Sequence, residues 1–126
     1  MKKPRFVLRV VIFALVSIAV PLSAHHSWPV GNQLVTVKGT VTEFMWANPH
    51  PMINLDVRNK DGVIEKWQVG GPAINRMEAN GWNKTTVKPG DVITGIGYQF
   101  SDGQKILKLD KAVLPDGKEI FLYGSK

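Results

Sequence analysis

Three histidines carry the most distinctive chemistry in this 126-residue chain: His25 and His26, adjacent in "PLSAHHSWPV", and His50 in "MWANPHPMINLDV". If a peptidase cuts after Ala24, His25 becomes the first residue and offers a free amine beside its imidazole. The amine nitrogen and Nδ1 of one residue can close a six-membered chelate on a metal. A second imidazole completes a T-shaped set of three nitrogens, the histidine brace. Nitrogen donors in planar or T-shaped arrangements favour copper over other divalent ions. The amine, with a reference pKa of about 7.7 to 8.0, must lose its proton to bind, so affinity is expected to rise with pH through that range.

The second imidazole is His26 or His50. His26 also permits a different local chelate, built from the terminal amine, the intervening amide nitrogen and its own Nδ1. His50 lies between Pro49 and Pro51, which hold it in a stiff, extended segment. Met45 and Met52 flank that segment, and their thioethers are soft donors suited to copper(I). Each feature also has a plain structural reading. The His pair can be a solvated start, Pro-His-Pro a simple turn, and the two methionines core fillers.

The compartment follows from the first residues. "MKKPRFVLR" places Lys2, Lys3, Arg5 and Arg9 ahead of the apolar run Val10–Val20, broken only by Ser17, and "PLSA" follows with Pro21. This is the three-part pattern of a secretory signal peptide over 1–24, with Ser23 and Ala24 at the cut. The run is short of the roughly 20 apolar residues a bilayer span needs, so no stable span is expected after cleavage. An uncleaved anchor is the alternative, since Leu22 is a weaker residue than Ala at its place before the cut. The expected location is the periplasm.

Removing the signal also removes most of the positive charge. The chain carries 16 basic and 10 acidic residues, for a net charge of +6, but four of the basic residues lie before Val10. The remainder is near neutral, so nucleic acid is not expected as a partner. With no cysteine, residues 25–126 must form a single domain on an ordinary core.

That domain reads as short strands. In "QLVTVKGTVTEFMW", Val35, Val37 and Val41 alternate with Thr36, Lys38, Thr40 and Thr42, and Gly39 suits a bulge or bend. "PMINLDVRN" alternates Ile53, Leu55 and Val57 with Asn54, Asp56 and Arg58, and "KDG" turns the chain into "VIEKWQVG". "GPAINRMEANGW" is the one helical candidate, with Pro72 at the first helical position, Ile74 and Met77 on one face, and Asn80-Gly81 as the stop. Two or three further strands follow, separated by "KPGD", Asp102-Gly103 and Asp116-Gly117 turns. A helix between the third and fourth strands predicts an all-β, small antiparallel OB-like barrel of five to six strands, not an immunoglobulin-like sandwich.

The aromatic residues supply a rival to copper. OB-folds bind saccharides and single strands on exposed aromatics, so Trp28, Trp46 and Asn48 form an alternative ligand face for a non-metal small-ligand, saccharide-binding or interaction module. Trp67 and Trp82 are expected in the core. Catalysis has little support, because there is no Cys and no Gly-flanked nucleophilic Ser. Glu43, Asp56 and Asp91 show no paired spacing. An oxidative copper enzyme is conceivable on the brace, but so short a chain offers no extended substrate platform.

Taken together, "AHHSW" after a signal, "GTVTEFMWANPHPMINLDV", "WQVGGPAINRMEANGW" and "VKPGDVITGIGY" resemble the small exported bacterial proteins of the domain of unknown function 6152 family. The likeness is most specific at His25, His26, Ser27, Asn48, Pro49 and His50. It implies export and the small barrel, and no activity comes with it. The chain departs from the family pattern in having Trp28 where Phe is common, and in lacking an acidic residue in "PVGNQ".

Overall fold

The computed structural model describes residue 2 and residues 27–124. Among the described residues six strands are formed, β1 (Val30–Met45), β2 (Met52–Arg58), β3 (Ile64–Gly70), β4 (Val92–Phe100), β5 (Ile106–Val113) and β6 (Glu119–Phe121), with one short helix, α1 (Ile74–Ala79), between β3 and β4. The period-2 alternation selects these strands. Val37, Val41, Ile53, Leu55, Trp67, Val69, Ile93, Leu107 and Leu109 point into one core, while their chain neighbours face outward.

The strands close into a ring. β1 pairs with both β2 and β4, β2 with β3, and β4 with β5. β3 and β5 then join through Gln68↔Ile106, Val69↔Leu107 and Gly70↔Lys108. This is the OB-like arrangement expected from the element order, with one refinement. The closing pair is parallel, while the others, including the short β5–β6 hairpin, are antiparallel. Hairpins cannot make a parallel contact; α1 and the segment after it carry the chain back across the ring.

Two local expectations are corrected. The register shift between β1 and β2 falls between Val41 and Glu43, not at Gly39. Gly39 serves close approach instead: a Cβ there would stand 2.6 Å from the Asp56 carbonyl oxygen. Pro72 is not the first helical residue, because α1 starts at Ile74 with Ala73 as N-cap. Ala73 has no side chain to cap the helix, and the Ile74 amide donates to Asn48 Oδ1 (3.1 Å) from the distant β1–β2 loop.

The helix end follows the sequence. Trp82 N–H donates to the Met77 carbonyl and Gly81 N–H to that of Glu78, and Gly81 takes φ +90°, together a Schellman motif. Trp82 and Met77 are both buried, and the Trp82 indole donates to the Phe121 carbonyl (2.9 Å), so its burial leaves no polar atom unpaired. Trp67 is likewise in the core. The Asp-Gly pairs are turns: Asp102 and Asp116 each accept from the amide two residues on, and Gly103 and Gly117 both have positive φ. Asp91 closes its own turn onto the Lys88 amide (3.0 Å).

Gly97 gives a direct test of the ring. It sits at the register shift between β4 and β5, where a Cβ would overlap the Lys108 carbonyl oxygen and approach the Leu109 Cα to 2.9 Å. Backbone cannot yield as a side-chain tip can. Gly97→Ala is expected to lower stability by about 1–3 kcal/mol in urea unfolding, whereas Gly124→Ala, with open space around it, should stay within about 0.5 kcal/mol of the parent.

Candidate functional site

His50 stands at one end of the ring, in the loop joining β1 to β2, and two hydrogen bonds fix that loop to the end of β3. Gly71 N–H donates to the Pro51 carbonyl (3.2 Å), and His50 Nδ1 lies 3.1 Å from the Gly71 carbonyl oxygen. A carbonyl only accepts, so Nδ1 must carry the proton, and in the neutral ring Nε2 keeps a free lone pair. Metal-binding imidazoles are commonly oriented by such a second hydrogen bond. Asn48, capping α1, fixes the same loop from its other side.

The N-terminal segment closes over this histidine. The Trp28 ring meets the His50 ring edge-on at 4.9 Å between centroids, and Phe100 at 5.7 Å. Ser101 holds the Trp28 segment in place, its amide and hydroxyl both donating to the Pro29 carbonyl (2.9 and 3.1 Å). Trp28 also needs room from β3. A Cβ on Gly70 would overlap Met52 Sδ and lie 2.8 Å from Trp28 Cη2, so the sulfur and the indole both rest on a bare backbone.

Two cavities adjoin the Trp28–His50 contact. One, of about 340 Å³, is apolar and is lined by Trp28, Pro29, His50, Met52, Phe100 and Ile106, together with Ser27. The other, of similar volume, is basic and shares Trp28 and His50 with Arg76, Lys108 and Tyr123. The Lys108 ammonium stands 5.1 Å from the centre of the Tyr123 ring. Burial pushes the Tyr123 phenol above its ordinary pKa, against the opposing pull of Arg76, so it stays a neutral hydrogen-bond donor.

The sequence-derived candidates divide accordingly. His50, Met52 and Trp28 come together. Met45 pairs with Met52 in the β1–β2 ladder but does not line the groove. Trp46 packs instead on Phe44 (5.6 Å), which in turn meets Trp82. Asn48 is taken up in capping. His25 and His26 lie outside the described residues, and Ser27, next in the chain, lines the groove. Among the described residues no group of three or more His, Cys, Asp or Glu side chains is placed to hold a metal. A complete site therefore needs donors from elsewhere in the chain, or donors of another kind.

Gly70, Phe100 and Ile106 were missed from sequence. The "VGGP" run is the local signal that could have marked the end of β3 as a place of close approach.

A third cavity, about 670 Å³, lies on the outer face of β2 and β3. Its lining includes Thr42, Asn54, Lys66, Gln68, Gln104 and Lys105. It meets the apolar groove at Ile106.

Two measurements check this geometry. Long-range 1H–15N NMR of neutral His50 should report the Nδ1-protonated tautomer, and an Nε2-protonated ring would contradict it. Gly70→Ala should leave the fold intact, because the colliding groups are side-chain tips, but shift Trp28 fluorescence; an unchanged spectrum would mean that Trp28 does not rest there.

No curated protein matches the chain. Among the described residues, no helix is long and apolar enough to cross a membrane. The family described as "Family of unknown function (DUF6152)" matches over residues 13–107, most of the chain, and the protein belongs to that family.

Proposed function

We propose that the protein is exported to the periplasm, is processed after Ala24, and binds copper at the His50 end of the ring. The observation that carries this reading is the His50 imidazole, held through Nδ1 by the Gly71 carbonyl with Nε2 free, under a tryptophan only two residues after His26. Three residues of extended chain reach about 10 Å. That length is enough for a terminus at His25 to reach the His50 end of the ring from the seat of Trp28. The His25 amine and Nδ1 supply two nitrogens, and His50 or His26 supplies the third. All of these donors are neutral when bound, and nitrogen sets of this kind favour copper. Binding or handling the metal, without catalysis, is the role that so small a domain supports.

A second reading has its own observation. The polar cavity over β2 and β3, with its amides and two lysines, lies on the face OB-folds use for saccharides and other ligands. It contains Trp67 but none of Trp28, Trp46 and Asn48, so a small-ligand module would work through amide and ammonium groups more than through an aromatic platform.

Calorimetric titration of copper(II) into protein beginning at His25 separates these readings. Copper should bind more tightly as pH rises through about 8, where the amine loses its proton. His25→Ala, or an extra Met before His25, should weaken binding by at least about tenfold. Equal affinity in the extended protein would overturn the terminal chelate. Saccharide binding indifferent to copper, and lost in Gln68→Ala, would favour the second reading.

A further inference from the structure

We propose that His50 and Met52, beneath Trp28, form a site selective for copper(I), an inference that rests on the copper reading above and adds an oxidation state and a soft ligand to it. His50 lies two residues before Met52, the first residue of β2, with buried Pro51 between them. Both line the apolar groove. His50, tied through Nδ1 to the Gly71 carbonyl, has Nε2 as its remaining donor nitrogen, and Met52, packed against Gly70, carries a thioether. Imidazole with thioether is a donor pair for a soft ion, and copper(I) is the soft ion that accepts both.

Charge points the same way. No carboxylate lines the apolar groove or the basic cavity behind it, so nothing there offsets the two charges of a hard or borderline divalent ion. Arg76 and Lys108, across the Trp28–His50 wall, oppose a divalent ion twice as strongly as a monovalent one. Phe100 and Ile106 supply apolar walls and no further charge. Met52, and not its ladder partner Met45, is the ligand, since only Met52 reaches the groove.

The test is anaerobic competition for copper(I) against a chromophoric chelator, run beside copper(II) titration on the same protein beginning at His25. Met52→Leu keeps volume and shape, so the fold should survive, as circular dichroism would verify. It should weaken copper(I) binding by at least the ~10-fold that loss of even an orienting partner typically costs a metal site, while copper(II) affinity stays within about twofold and Met45→Leu changes neither. Copper(I) should also quench Trp28 fluorescence, an effect absent from Trp28→Phe. Unchanged copper(I) affinity in Met52→Leu, with copper(II) still bound, would overturn this inference alone. Failure to bind either ion would overturn the copper reading and this site together.

Discussion

Where β3 ends, Gly70 has no side chain, and the space a Cβ would occupy is filled from two directions. Met52 brings its sulfur from the neighbouring strand, and Trp28 lays its indole there from the N-terminal segment. Any larger residue would lift both away, and with them the edge-on contact between Trp28 and His50. That packing carries the N-terminal segment to the β1–β2 loop, and the Trp28–Phe100 contact, the Val30–Phe100 pairing and the two Ser101 hydrogen bonds to the Pro29 carbonyl hold the same segment to the end of β4. Residues that are neighbours in space here come from four separate parts of the chain.

The ring of strands makes this convergence possible. Its parallel closure sets Gly70 beside Lys108 and the start of β5 beside the end of β3, which brings Ile106 to the groove and Lys108 to the cavity behind His50. The helix contributes through its missing cap. Because Ala73 cannot accept the Ile74 amide, Asn48 does so, and the loop bearing His50 is thereby tied to both β3 and α1. An imidazole held in this way loses little freedom on binding a ligand, so less of the interaction is spent on ordering it.

Alternation of apolar and polar residues made the strands and the core face legible in the sequence, and Asp-Gly, Lys-Pro-Gly-Asp and Asn-Gly pairs marked the turns. Local patterns were less informative wherever a distant residue decided the outcome. Pro72 looked like a helix start because prolines favour that place, but the cap came from Asn48, 26 residues away. Gly39 suits a bulge or a bend in sequence, yet the register shift falls further along, and its lack of a side chain answers the Asp56 backbone across the ladder. His50 was visible as a candidate, and the carbonyl that orients it was not. Met45 and Met52 were equivalent by composition, and only the register, with Trp28 seated on Gly70, distinguishes them.

Copper bound as proposed would sit at the Trp28–His50 end of the ring. The most direct measurement is paramagnetic broadening of assigned backbone and side-chain NMR signals by substoichiometric copper(II), in protein beginning at His25. Broadening is expected to start at Ser27, Trp28, His50, Met52, Gly71 and Phe100 and to leave the outer face of β2 and β3 sharp. Broadening centred on Asp56, Lys66 and Gln68, or confined to the terminal histidines with His50 unaffected, would contradict it.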